Sequence, residues 1–333
     1  MGCSGGTTEP EEEGSPSDEY PIPSPGPHFS VPPVPLETVA RITPMGYNNE
    51  RFPTVHSYWQ TCDGFGVLQS PRPCHREFQP VRAPRAGAVR DIHHDPDGYI
   101  VLEGPPGLIW TFGHVTPEPA LQVGASVSAG DPVATMFYDH GFDFGVINYG
   151  VEHFWINPSR FNHGYLYGQN AIEQFPSPLA DSMLARVMTV DGNPLGRLSY
   201  DVPGTASGAW FIEGAPPGDV ALTWGNEHML LWLARHVERQ ETRVLSLGEL
   251  WPGMVNWLLA VDGGAPDWED ITPSSGAVTI PLWNLNQEAR ANLDWPAGSI
   301  LIEMVDGGTL RIEWFDTHDP VEAFGAGVRT YQR

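Results

Sequence analysis

Turn-forming residues interrupt the apolar segments of this chain along its whole length. The sequence has 37 glycines and 34 prolines among 333 residues, a frequency that favours many short strands over helical bundles. From about residue 187, roughly eight or nine apolar segments recur at intervals typical of a β-sandwich or a closed barrel. These segments are GRLSYDVPG, GAWFIEG, DVALTWG, HMLLWLARHV, TRVLSLG, NWLLAVDG, GAVTIPLWN, SILIEMVDG and TLRIEWFD.

An earlier set of short strands is predicted between residues 39 and 165. GAVRDIHH and DGYIVLEG flank a DPDG turn, which favours a β-hairpin, and LIWTFGHV, ASVSAGDPVATMF and FDFGVINYG follow as further strands. Residues 166–186 connect this region to the next and contain a short helix around Pro178–Arg186. We therefore predict a mainly all-β chain: a β-sheet domain at 39–165, a connector, and a β-sandwich or barrel domain at 187–333.

The N-terminal segment combines a cysteine with a polar, proline-rich stretch. Cys3 follows Gly2, and residues 4–38 are rich in Pro, Gly, Ser and Glu, so residues 1–38 are expected to form a disordered tether. This arrangement resembles a mature bacterial lipoprotein with Cys3 as its lipidation site; an incidental cysteine is the alternative. N-myristoylation is not favoured, because it requires Ser or Thr where Gly6 stands. The prediction is an exported protein, lipid-anchored to a bacterial membrane, periplasmic or at the cell surface.

The two remaining cysteines are predicted to form a disulfide. Cys62 and Cys74 lie in TCDGFGVLQSPRPCH, and an even pair in an exported chain is typical of a bridge that closes a short loop. A zinc role for this pair is weakly indicated, since no CxxC spacing accompanies it.

Charge excludes two classes of partner. The chain carries 41 acidic against 17 basic residues, a formal net charge of −24. Such a surface repels nucleic acid and anionic lipid headgroups, so the only membrane contact we expect is through a lipid at Cys3. No stretch approaches the roughly 18 apolar residues that a membrane helix requires.

Three ordered motifs carry a family resemblance. VRAPRAGAV, then GHV, then LQVGASVSAGDPVATM resemble the strands and turns of lysostaphin/LytM-type zinc peptidases, also known as the duplicated hybrid motif. The region after residue 187 resembles the β-domains that follow LytM-like domains in uncharacterised bacterial envelope proteins. The resemblance implies a LytM-like sheet, and in active members a zinc ion held by an HxxxD motif and the last His of an HxH motif. Three protein ligands leave one position for a water whose pKa the metal lowers.

The resemblance transfers only in part to this sequence. His114 in FGHV matches the catalytic His, and His56 in TVHSYW is the candidate for the first metal ligand. Gln60 stands where the Asp ligand is expected. In the GFDF segment, Gly141 replaces the first His of HxH and Asp143 replaces the ligating one. The motifs of a zinc centre are therefore degenerate.

A further oxygen ligand is available in Glu50, six residues before His56 in ERFPTVH. Together His56, Asp143 and Glu50 form the candidate metal site, which would take zinc if any metal. Each residue also has an ordinary structural interpretation: His56 as a core histidine bonded to a backbone carbonyl, His114 as the end of a strand, and Asp143 as a hydrogen-bond acceptor in a turn.

Other clusters have weaker signals. His93 and His94 precede the DPDG turn, which Asp95 begins, and all three are expected on a solvated hairpin. His140, His153 and His163 are predicted in loops close to GFDF, where one of them could line the same cleft. Tryptophans in the second region suggest either core packing or a platform for sugar rings. They are Trp210, Trp224, Trp232, Trp251, Trp257, Trp268, Trp283, Trp295 and Trp314.

Three functions remain open from the sequence. The first is an envelope lipoprotein, a pseudoenzyme whose degenerate peptidase-like domain binds a cell-wall, polysaccharide or protein partner. The second is an active zinc endopeptidase or hydrolase acting on peptidoglycan-type peptides. The third is a carbohydrate-binding protein that uses exposed tryptophans.

Overall fold

The structure of the protein is a computed structural model. It describes residues 21–46, 53–62, 70–95, 97–189, 192–216, 229–248, 251–252, 254, 258–261, 263–285 and 296–333. Two β-structures contain nearly all of its regular elements. As predicted, the chain is mainly β: a sheet of nine strands is followed by a closed barrel of eight. Among the described residues, no helix is long and apolar enough to cross a membrane.

The N-terminal sheet is antiparallel and orders its strands β1-β2-β9-β6-β5-β4-β7, with β8 pairing both β6 and β3. Its strands are β1 (Arg41–Ile42), β2 (His56–Gln60), β3 (Pro80–Arg82), β4 (Gly87–His93), β5 (Gly98–Glu103), β6 (Leu108–Pro117), β7 (Ser126–Val127), β8 (Pro132–Met136) and β9 (Gly141–Asn148). The β4–β5 hairpin is the one predicted from the DPDG turn. β2, β9 and β6 lie side by side, and this adjacency positions the candidate site.

One face of this sheet is packed with aromatic residues. Trp59, Phe142 and Phe144 alternate with outward-facing residues on β2 and β9 and are each at most 2% exposed. Because neighbouring residues of a strand point to opposite faces, the residues between them face the other side.

The N-terminal segment contributes to this core, which corrects the predicted extent of the tether. Phe29 and Val34 are 2% and 1% exposed, and the Phe29 ring lies 5.6 Å from Trp110 and 5.2 Å from Phe175. The amides of His28 and Phe29 donate to the Gln174 carbonyl. The prediction of a disordered tether up to residue 38 is therefore wrong for its last part, because an aromatic side chain within a proline-rich segment suffices to anchor it.

Two short helices follow the sheet, α1 (His163–Tyr167) and α2 (Leu179–Leu184). The second is the helix predicted around Pro178–Arg186. GRLSYDVPG, in contrast, was predicted as a strand and is not one. Its Gly196 backbone forms an isolated bridge to Met45, and the Asp201 carboxylate accepts from the Ile156 and Ala209 amides, so this segment serves as a connection.

The barrel consists of β10 (Gly208–Ile212), β11 (Leu230–His236), β12 (Arg239–Leu247), β13 (Leu258–Val261), β14 (Val278–Asn284), β15 (Pro296–Met304), β16 (Thr309–Phe315) and β17 (Arg329–Gln332). It closes where β10 pairs with β17. HMLLWLARHV, which its composition could also assign to a helix, contains β11 as predicted. DVALTWG lies outside the described residues.

The barrel packs against loop and helix residues of the N-terminal region through an apolar cluster. Trp232 and Phe211 on the barrel form one core with Met45, Phe161 and Tyr165. At one edge of the contact, the turn between β11 and β12 places Val237 against Tyr58 of β2. The Glu238 carboxylate forms a buried ion pair with Arg41 of β1, with side chains 0% and 1% exposed. Strand β2 thus carries both the candidate ligand His56 and a contact with the barrel.

Candidate functional site

Strand register places His56 and Asp143 on the same face of the sheet. His56 pairs with Gly145, and Tyr58 pairs with Asp143, across β2 and β9. Since Trp59 and Phe144 occupy the core face, the alternation turns His56, Tyr58 and Asp143 to the opposite side. His56 and Asp143, which are 87 positions apart in the sequence, therefore meet because the antiparallel strands β2 and β9 pair in this register.

His114 reaches the same point through a β-bulge in β6. Gly98 pairs with Val115 and Tyr99 pairs with Gly113, so His114 is the extra residue. Its backbone has a φ of 55°, a left-handed conformation that is uncommon for a residue other than glycine. A bulge re-aims a side chain and is frequent beside functional sites; here it turns the imidazole towards Asp143.

A glycine makes room for the carboxylate. Gly113 pairs directly with Asp143 across β6 and β9. A Cβ atom at position 113 would lie 3.2 Å from Asp143 Oδ2 and 3.3 Å from its Cβ. These contacts are tighter than ordinary van der Waals contact, so a side chain at position 113 would require Asp143 to move by a few tenths of an ångström.

The three side chains converge on one oxygen. His56 Nε2 lies 3.3 Å and His114 Nε2 lies 3.5 Å from Asp143 Oδ2. The side chains of His56, Asp143 and His114 are 23%, 12% and 39% exposed. Neither His56 Nε2 nor Asp143 Oδ1 has a hydrogen-bond partner among the described residues. Both atoms are themselves buried, although their side chains are partly exposed, so the site contains polar groups that no described residue satisfies.

Two residues not anticipated from the sequence extend the site. Asp97, in the turn of the β4–β5 hairpin, places Oδ1 2.5 Å from His114 Nδ1. The Tyr138 hydroxyl donates to the other oxygen, Oδ2, at 3.1 Å. Partial burial, followed by the hydrogen bond to Asp97, raises the pKa of Tyr138, which keeps this hydroxyl a donor. The DPDG turn predicted a hairpin, but no pattern in it predicted a partner for His114.

The residues that depart from the zinc-peptidase motifs lie in closely packed surroundings. Gln60 is 1% exposed, and neither Nε2 nor Oε1 of its side chain has a hydrogen-bond partner among the described residues. At Gly141 an added Cβ would lie 2.7 Å from the Trp59 carbonyl oxygen. A histidine at this position would therefore require the backbone to shift. Glu50, the remaining candidate ligand, lies outside the described residues.

The fit of the site to zinc is partial. Two donors bound to one tetrahedral zinc at about 2.1 Å are about 3.4 Å apart, and the separations from Asp143 Oδ2 are 3.3 and 3.5 Å. However, no group of three His, Cys, Asp or Glu side chains within the described residues could hold a metal ion. Two donor spacings resemble those of a metal site, but the described donor set is incomplete.

The predicted disulfide is confirmed. Cys62 and Cys74 are bonded and enclose the loop that follows β2. Beside the bridge, the Thr61 amide donates to the His140 carbonyl, and the His75 amide donates to the Thr61 carbonyl. Thr61 and His75, at the two ends of the bridged segment, are thus joined to each other and to His140, the residue that precedes β9.

The other histidines divide between the rim of the site and unrelated contacts. His140 lies at the rim, with its ring 5.3 Å from that of Tyr138. His153 contacts the Gly168 carbonyl and His163 contacts the Tyr149 hydroxyl. His93, His94 and Asp95 are exposed on the hairpin as expected.

The described tryptophans of the barrel do not form an exposed platform. Trp210, Trp232, Trp251 and Trp268 are at most 5% exposed, and Trp283 and Trp314 are half-buried. Trp224, Trp257 and Trp295 lie outside the described residues. Core packing is thus the role of Trp210, Trp232, Trp251 and Trp268.

Comparison with solved structures finds domains of the LytM or M23 peptidase type, as the sequence motifs predicted. Helicobacter pylori Csd3 is 15% identical over 38% of this chain and 31% of its own, with a TM-score of 0.27. A structure of the SpoIIQ–SpoIIIAH pore forming complex is 15% identical over 38% of this chain and 86% of the other, with a TM-score of 0.28. The catalytic domain of lysostaphin from Staphylococcus simulans is 13% identical over 40% of this chain and 85% of its own, with a TM-score of 0.22.

This chain spans about a third of the length of Csd3. No family model matches the chain, and no curated protein matches it in sequence.

Proposed function

We propose that this protein is an exported bacterial envelope lipoprotein whose peptidase-like sheet binds a cell-wall partner at the cleft of His56, Asp143 and His114. One observation carries the proposal: the cleft presents partly exposed polar side chains that converge on one carboxylate oxygen, while Gln60 and Gly141 occupy two positions of the peptidase motifs. Such a cleft retains the means to bind a polar ligand after losing part of the donor set that cleavage requires.

The chemistry of the cleft suits a ligand that donates hydrogen bonds. Asp143 Oδ1 is a buried carboxylate oxygen without a hydrogen-bond partner among the described residues, and an ionised carboxylate only accepts hydrogen bonds. Peptide and sugar groups supply N–H and O–H donors in abundance, whereas phosphates do not. This preference agrees with the net charge of −24, which disfavours polyanionic partners.

Co-sedimentation of the full chain with purified peptidoglycan sacculi tests the proposal. Wild-type protein is expected to pellet with sacculi, and His56→Ala and His114→Ala are expected to remain in the supernatant. His94→Ala, which replaces an exposed histidine on the β4–β5 hairpin, is the matched control and should bind like wild type. Equal binding by all four proteins, or none by wild type, would refute a role for this cleft in wall binding.

A metal-dependent hydrolase is the second candidate, with His56, Asp143 and Glu50 as zinc ligands and His114 as base or oxyanion partner. The separation of 3.3 Å between His56 Nε2 and Asp143 Oδ2, both ligands in this scheme, favours it. Metal analysis of protein purified without chelator, together with a cross-bridge peptide cleavage assay, separates the two candidates. Stoichiometric zinc, and cleavage that is lost in His56→Ala, would replace the binding proposal with this one.

The lipid anchor at Cys3 is proposed from the sequence. A hydrophobic modification at this residue would move the protein into the detergent phase of a Triton X-114 extract from bacterial cells. The Cys3→Ser variant is expected in the aqueous phase. Identical partitioning of both proteins would exclude the anchor.

A further inference from the structure

Two left-handed backbone positions face each other across the β4–β5 turn and β6. Asp97 and His114 are the non-glycine residues with positive φ in the described chain, at 62° and 55°. Few non-glycine residues adopt this region, although Asp and His are enriched in it. The same two side chains form a hydrogen bond with each other, so the two unusual conformations accompany one contact.

Both oxygens of Asp97 are occupied by site residues. Oδ1 contacts His114 Nδ1, and Oδ2 accepts from the Tyr138 hydroxyl. The Tyr138 ring also lies 5.3 Å from the His114 ring at an angle of 60°. The imidazole is thus held at one nitrogen and along one face, which restricts rotation about its side-chain bonds.

We infer that Asp97, supported by Tyr138, is a positioning residue of the cleft. His114 Nδ1–H donates a hydrogen bond to the Asp97 carboxylate at 2.5 Å, whereas Nε2 lies 3.5 Å from Asp143 Oδ2. Nε2 is then the nitrogen directed towards Asp143 and an incoming ligand, as when a second residue orients a working histidine elsewhere. The effect of Asp97 on ligand binding rests on the proposed function, but the orientation of the His114 ring can be measured without any ligand.

A purely structural role is the rival explanation, in which Asp97 only ties the hairpin turn to β6. The two roles differ in what they require of the His114 ring. A structural tie can be replaced by any contact that keeps the turn in place. A positioning contact must fix which ring nitrogen bears the proton.

Two-bond ¹H–¹⁵N correlation spectra of histidine-labelled full chain make the distinction. The His114 signals are assigned by their loss in His114→Asn, and spectra are recorded above about pH 8, where an unperturbed imidazole is neutral. The wild type is expected to show the Nδ1–H tautomer. Asp97→Gly suits the left-handed backbone and deletes the carboxylate, and should shift His114 towards the Nε2–H form that free histidine favours.

Asp95→Gly is the matched control, since it removes an exposed carboxylate of the same turn, which lies 3.2 Å from His93 Nε2. It should leave the His114 spectrum unchanged. Tyr138→Phe should produce a mixture of tautomers, because Asp97 keeps its contact with Nδ1 but loses its second hydrogen bond.

Sacculus binding gives the second readout. Asp97→Gly is expected to weaken binding about tenfold, within the range for lost orienting contacts, and Asp95→Gly to bind normally. A wild-type ring in the Nε2–H form, or one unaffected by Asp97→Gly, overturns the inference. If the tautomer responds as expected and wild type fails to bind sacculi, the positioning role stands and the proposed function fails.

Discussion

The buried pair between Arg41 and Glu238 allows a quantitative test of how the barrel is joined to the N-terminal sheet. The side chains are 1% and 0% exposed, so Glu238→Gln leaves the guanidinium charge in the interface without its counter-ion. Breaking a buried pair by removing one partner costs about 3–5 kcal/mol, because the remaining charge stays desolvated. We therefore expect Glu238→Gln to lower the free energy of unfolding by about that amount.

Urea unfolding monitored by tryptophan fluorescence measures this loss, and a double variant separates charge from packing. Arg41→Met with Glu238→Leu removes both charges and should recover most of the stability, since buried pairs are often replaceable by apolar residues. Glu303→Gln is the control, because its pair with Arg311 is 29% and 39% exposed and is worth about 1 kcal/mol or less. Equal losses from Glu238→Gln and Glu303→Gln would refute the reasoning.

Three further outcomes are expected. Burial, followed by the charges of Arg239 and Arg41, lowers the pKa of His236 to about 4. As the pH falls, the unfolded chain therefore binds a proton at this histidine before the folded chain does, and acidification from pH 6.5 to 4 should lower the free energy of unfolding by roughly 3 kcal/mol. His236→Gln should lack this pH dependence. Replacing His114 by Gly relieves a φ of 55°, so thermal unfolding should show stability unchanged or raised by about 1 kcal/mol while sacculus binding is lost. Replacing both Cys62 and Cys74 by Ala opens a loop with a sequence separation of 12 and should cost about 3 kcal/mol in urea unfolding.

Local patterns in the sequence were sufficient to predict much of the β-architecture. The DPDG turn between two alternating segments predicted the β4–β5 hairpin, because a tight turn and the adjoining strands are encoded within a few residues. The position of HMLLWLARHV within a series of strands predicted β11. Phe29 could not be assigned to the core in this way, since its burial depends on Trp110 and Phe175, which are distant in sequence.

The candidate site was predictable only as far as its motifs extend. The motifs GHV and GFDF predicted His114 and Asp143 as site residues, and strand pairing brings the two residues together. Asp97 was missed because its contact with His114 depends on the register of β5 with β6 and on a bulge at His114. A sequence pattern reports neither the register nor the bulge. The metal role of Glu50 stays a prediction.

Strand β2 connects the cleft to the barrel through two residues on one face. His56 meets Asp143, and two positions later Tyr58 contacts Val237; the rings of His56 and Tyr58 are 5.0 Å apart and nearly perpendicular. If the β11–β12 turn is displaced, Val237 no longer packs against Tyr58. The Tyr58 ring can then move, which changes the space available to the His56 ring. Glu238→Gln should therefore weaken sacculus binding as well as stability, at a urea concentration where the chain is still folded. If binding is unchanged in that variant, the cleft is independent of the barrel and the shared strand has no functional consequence.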